Sequence, residues 1–189
     1  IKLLLDKGAN VNARVRDNTD TRTVFTGQWL EENGATAFFR ASQSGDLVLM
    51  KLLLARGADP NLTNRGGWTP LYLATDNRNI EGGDYPVRKS DMDHLEFIKL
   101  LLDKGANVNA RQKKEPRDGN RNMLNRIGST AFLMAAKNAD VPMMKALLEV
   151  GADPSLTTNR GTTALMVAAG VGIWAPGENP GTHEEGMAA

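Results

Sequence analysis

The chain has no cysteine and only two histidines in 189 residues. The first absence excludes disulfides, zinc thiolate sites and cysteine nucleophiles. It leaves the compartment open, since oxidising and reducing compartments both tolerate it. Aromatic residues are scarce at 5%, so the place of each one carries information. Long apolar runs are missing as well. The longest, 164–175, has twelve residues, and spanning a bilayer takes about 20. Neither sign of charge dominates: 23 Lys and Arg stand against 22 Asp and Glu, a formal net charge of +1. That balance gives no general attraction to nucleic acid or to an anionic membrane.

What is present is repetition, which has to be read before any local pattern. Residues 1–14, IKLLLDKGANVNAR, return unchanged as residues 98–111. Weaker copies start at Lys51 (KLLLARGADPNLTNR) and Lys145 (KALLEVGADPSLTTNR). The Gly-Ala-Asn/Asp turns begin at Gly8, Gly57, Gly105 and Gly151, with spacings of 49, 48 and 46. Each of these turns is followed by a second marker, a Thr-Ala or Thr-Pro before an apolar stretch, at Thr36, Thr69, Thr130 and Thr163. Each unit therefore has two helices.

The unit from Gly34 shows the logic. Thr36 caps a helix over about 37–43, because its hydroxyl accepts from an early backbone N–H. Phe38 and Ala41 face inward at i, i+3 spacing. Asp46 caps a second helix whose apolar stripe is Leu47, Leu49, Met50, Leu53 and Leu54. Gly57 ends it, where a left-handed residue is wanted. Pro70 opens the next unit, in a first turn that tolerates its missing N–H.

This alternation of helix, tight turn, helix and glycine turn resembles the ankyrin repeat. The likeness rests on Thr69-Pro70-Leu71-Tyr72-Leu73-Ala74, on KLLL before the glycines and on Gly-Ala-Asp/Asn after them. The resemblance implies an all-α fold, an ankyrin-type α-solenoid of stacked helix-turn-helix units with extended finger and inter-helix insertions. An ankyrin unit has about 33 residues, so each spacing here carries extra chain. The extra residues alternate in place: 15–33 and 112–127 follow a glycine turn as fingers, whereas 77–90 and 171–181 separate the two helices of one unit. The division is a half unit 1–14, insert 15–33, unit 34–65, unit 66–111 with insert 77–90, insert 112–127, unit 128–160 and a partial unit 161–189. The true period is a pair of units, Gly34 matching Gly128 and Asp46 matching Asp140. Thr182 and Glu185 have capping-box spacing and start a further second helix. On this reading the chain is a fragment of a longer array, and the resemblance suggests a bacterial source.

Proteins of this family bind other proteins through the concave face of first helices and fingers. The resemblance implies outward first-helix positions at Arg40, Gln43, Leu73, Asp76, Met134, Lys137 and Val167. The place usually held by histidine carries Phe39, Tyr72, Leu133 and Met166, which removes a usual polar network and makes the face greasier. Phe25, Trp29, Tyr85 and Trp174 lie in inserts, and Trp68 heads a first helix. Two readings stand. Either these aromatics line a groove for a partner, since aromatics and Arg dominate hot spots, or the inserts fold back and cover Leu73, Met134 and Val167. The fingers differ in charge, −2 over 15–33, which holds Arg22, and +3 over 112–127, which holds Arg117 and Arg121. The second finger reads either as a contact for an acidic partner or as a solvated loop.

Patterns for chemistry are not met. His94 and His183 sit at second-helix starts without further ligands to converge with them. Asp91, Asp93 and Glu96 lack the calcium-loop pattern. Gly170, Gly172 and Gly177 do not precede Lys-Ser/Thr and form no phosphate loop. Asn61-Leu62-Thr63 fits the glycosylation pattern, which is frequent by chance. The expectation is a non-enzymatic, monomeric protein-interaction scaffold for a protein or peptide partner, without cofactor, metal, nucleic acid or membrane. The rivals are a small-ligand or glycan binder using Trp29, Trp68 and Trp174, and a non-catalytic arm of an enzyme.

Overall fold

Six of the described helices start where a side chain satisfies an early backbone N–H group. The structure is a computed structural model that describes residues 1–16, 33–76, 94–114, 124–172 and 183–189. The first helices of the units are α2 (Ala37–Ser44), α4 (Pro70–Asp76), α6 (Ala131–Lys137) and α8 (Ala164–Ala168). All four expected threonine caps are in place. Thr36 accepts from the Phe39 N–H at 3.1 Å, Thr69 from Tyr72 at 3.1 Å, Thr130 from Leu133 at 3.3 Å and Thr163 from Met166 at 3.2 Å. The second helices are α1 (Lys2–Asp6), α3 (Leu47–Ala55), α5 (His94–Asp103), α7 (Val141–Glu149) and α9 (His183–Ala188). Asp46 and Asp140 cap α3 and α7 by accepting from Leu49 and Met143. Gly8, Gly57, Gly105 and Gly151 follow α1, α3, α5 and α7 with φ between 80° and 89°, a region where a Cβ would clash with the backbone. No strand occurs among the described residues.

The first helices stack in a row, α2 on α4, α4 on α6 and α6 on α8. Within units α2 packs on α3 and α6 on α7, and α5 meets α7 between units. One apolar core follows, from Ala35 to Val167, with Phe38, Phe39, Met50, Leu53, Phe97, Leu101 and Leu133 fully buried. Each such side chain contributes about 1.5–3 kcal/mol by leaving water. Two ion pairs, Arg56 with Asp6 and Lys51 with Glu96, join neighbouring second helices. Their side chains are largely solvated, so they add little.

The turns alternate between two closures. Asn64 and Thr158 each close a tight turn, with Asn64 N–H donating to the Trp68 carbonyl at 3.2 Å and Thr158 N–H to Thr162 at 3.0 Å. At the fingers the same register is spanned by more chain. Val15 N–H donates to Ala35 O and Gly34 N–H returns to Val15 O, at 2.9 and 2.8 Å. Gln112 pairs with Ser129 and Gly128 in the same way, at 3.0 and 2.8 Å. The finger bases are thus paired backbone.

Candidate partner-binding surface

The first-helix row presents few polar side chains. Arg40 is exposed on α2 and hydrogen-bonds Gln43, which is half-buried. Lys137 ends α6 and is half-buried. Asp76 ends α4, but its side chain lies outside the description. Arg22, Phe25, Trp29, Tyr85, Arg117, Arg121 and Trp174 also fall outside the described residues.

The outward placement of Leu73, Met134 and Val167 is corrected, because all three are buried. The reason is the stacking. On α4 and α6, gripped by first helices on both sides, little of the circumference is left to water, and every residue from Ala131 to Ala136 is buried, while Val167 faces α6 from the end of the row. Trp68 and Tyr72 are corrected likewise. Trp68 is 5% exposed, and its ring lies 5.6 Å from that of Tyr72 at a tilt of 44°. Its backbone N–H donates to the Asn64 side chain at 3.0 Å, so Trp68 belongs to a turn and its core.

The histidine-position residues also depart from expectation in one place. Tyr72 keeps a polar network. Its hydroxyl lies 3.1 Å from Ser129 Oγ, which donates to the Arg126 carbonyl at 2.6 Å. Gln112, also buried, donates its amide to the Lys114 carbonyl at 2.6 Å. These groups tie α4 to the base of the second finger. Met166, in the same place on α8, is exposed.

The sequence reading missed a ladder of asparagines. Asn12, Asn61 and Asn109 each donate a side-chain N–H to a carbonyl of the next glycine turn, those of Gly57, Gly105 and Gly151, at 3.0, 2.8 and 3.0 Å. Each also accepts from the backbone two residues further on, at Asp59, Asn107 and Asp153. The signal was available, since Asn12, Asn61 and Asn109 stand four residues after Gly8, Gly57 and Gly105. Ser155 stands in the fourth such place and turns inward on Asp153 instead. Its hydroxyl and backbone N–H donate to the Asp153 carboxylate at 2.6 and 2.8 Å and hold it below its ordinary value, the hydroxyl foremost. Arg14 and Arg111 repeat another device, each bonding a finger-base carbonyl through Nε, Gly34 and Gly128, at 3.0 Å. Through Nη2 they reach the carbonyls of Thr63 and Thr157 in the next turn.

Among the described residues no three His, Asp or Glu side chains gather as a metal site requires. No described helix is long and apolar enough to cross a membrane.

Comparison with known proteins fits this architecture. The family described as ankyrin repeats (three copies) matches residues 1–112 and 93–173. The ankyrin repeat and KH domain-containing protein mask-1 of Caenorhabditis elegans is 28% identical over 159 residues, 74% of this chain and 6% of that protein. The B-cell lymphoma 3 protein homolog of Mus musculus is 31% identical over 136 residues, 71% of this chain and 24% of that one. A putative ankyrin repeat protein, L86, of Acanthamoeba polyphaga mimivirus is 34% identical over 139 residues, 71% and 23%. The chain spans a quarter or less of the length of these relatives. They are eukaryotic and viral, so the suggestion of a bacterial source gains no support from them. Repeated capped helix pairs, glycine turns in the left-handed region, one continuous core and a match over most of its length place this chain in the ankyrin repeat family.

Proposed function

We propose that this array is a non-enzymatic, monomeric interaction module that holds a protein or peptide partner, as a scaffold does, along its first helices and finger turns. One observation carries the reading: the first helices form an unbroken row with Arg40, Gln43 and Lys137 at its solvent edge. A partner laid along that row touches several units at once, and the stacked core behind it is rigid enough to hold one geometry. Leu73 and Met134 drop out as contacts because they are sealed in the core. By register Asp76, Arg22, Phe25, Trp29, Arg117, Arg121 and Trp174 stay candidates. The glycan reading loses Trp68, which is too buried to serve as a stacking platform.

The test is site-specific crosslinking. A photo-reactive residue replaces Arg40, Lys137 or the exposed Val48 of α3. Adducts with a partner are expected from positions 40 and 137 and not from 48. Adducts from 48 alone move binding to the second-helix side and reject the reading.

A further inference from the structure

The turns carry a second surface with its own chemistry. Arg14, Arg65, Arg111, Lys113, Lys114 and Arg160 are all exposed. Contacts link them from one unit to the next. Arg14 reaches the Thr63 carbonyl, two residues before Arg65. Arg65 N–H donates to Asn33 O at 2.7 Å, and the N–H groups of Lys113 and Lys114 donate to Gly66 O at 3.1 and 3.0 Å. The Lys113 side chain lies so close over Gly67 that an added Cβ there would meet it at 2.8 Å. Arg111 bonds Thr157 O at 2.6 Å, three residues before Arg160. The described turn segments 13–16, 60–69, 110–114, 124–130 and 154–163 hold no Asp or Glu, and the acids next to them in sequence are Asp17, Asp59, Glu115 and Asp153. Asp6 and Glu96 are paired on the second helices.

We propose that this row of cations is a docking track for an acidic, extended polypeptide segment. The proposal rests on the interaction-module reading and names the chemistry of the partner. Packed helices lie about 8–10 Å apart, and an extended chain rises about 3.3 Å per residue. An acid at every third position therefore meets the cations of successive units. Arg14 and Arg111 are already held by two carbonyls each, so orienting their charges on binding loses less entropy. Single-stranded nucleic acid needs exposed aromatic platforms beside the charges, whereas among the described residues the aromatics next to these turns, Trp68 and Tyr72, are buried.

The full 189-residue chain is titrated by fluorescence anisotropy against a labelled Gly/Ser peptide with Glu at every third position. The expected result is binding that weakens with salt. The variant R65E/K113E/R160E loses affinity roughly tenfold or more, with unchanged melting. Should that variant unfold, the neutral set R65Q/K113Q/R160Q replaces it, with a smaller loss expected. No binding of the acidic peptide, unchanged affinity in the folded variant, or tighter binding of a labelled oligonucleotide overturns the proposal. Crosslinking from positions 40 and 137 is repeated on the variant. If the peptide fails to bind the unaltered chain while positions 40 and 137 still yield adducts, the track is wrong and the interaction module stands. If neither position yields an adduct in the unaltered chain, the module reading itself fails.

Discussion

Ala139 is the one residue other than glycine at positive φ among the described residues, at 50°. It stands where Gly45 stands in the paired unit, just before the capping aspartate of the second helix, and Gly45 has φ 65°. An L-residue there places Cβ against a carbonyl and costs about 1–2 kcal/mol. Ala139→Gly relieves that cost but loosens the unfolded chain by about 0.4–1 kcal/mol. The net expectation is a gain of up to about 1.6 kcal/mol, measured by urea denaturation, and a loss instead would mean that no strain resides there. Gly45→Ala should destabilise. Asp153 offers a second check at this scale. Its folded value is depressed, so its contribution exists above the ordinary carboxylate range and fades as pH falls through the folded value. The group is exposed, so the effect on stability is small and the titration is read directly by NMR. Ser155→Ala removes the foremost donor and should move the Asp153 midpoint up toward its ordinary value.

At the level of the elements, the helix ends and the inward stripes were legible, and the outward face of the first helices was not. A cap needs only a hydroxyl or carboxylate beside the next few N–H groups, so Thr36, Thr69, Thr130, Thr163, Asp46 and Asp140 could be read from neighbours in the chain. Which side of a first helix meets water depends on what packs against it, so Leu73 and Met134 were misplaced. Leu53 of α3 was placed inward and is buried, as is Leu147 of α7. Leu53→Ala or Leu147→Ala should cost roughly 2–5 kcal/mol through the cavity left behind, and an unchanged melting curve would contradict it. The asparagine ladder links elements by side chain alone. Asn61→Ala deletes the bonds to Gly105 and Asn107, which water partly replaces at this exposed site. A loss of about 1 kcal/mol is expected, with faster amide exchange at Asn107 as the local signature.

The whole molecule makes its own experiment with residues 1–14 and 98–111, which are identical. Both copies coil through their leucines and end at a left-handed glycine, Gly8 at φ 86° and Gly105 at φ 80°. Their surroundings differ. Ile1 is 58% and Leu4 63% exposed, while Ile98 and Leu101 are at 0%. Leu101→Ala should therefore cost roughly 2–5 kcal/mol by thermal denaturation. An unchanged melting curve would mean that Leu101 does not pack in the core. The sequence by itself determined where the chain coils, where it turns and at what period it repeats, because hydrogen bonds and caps within a helix involve residues a few positions apart. Only the tertiary structure decided which first-helix side chains are sealed. It also decided which cations on separate turns become neighbours. Each of these depends on units that meet across dozens of residues, and no local stretch contains that information.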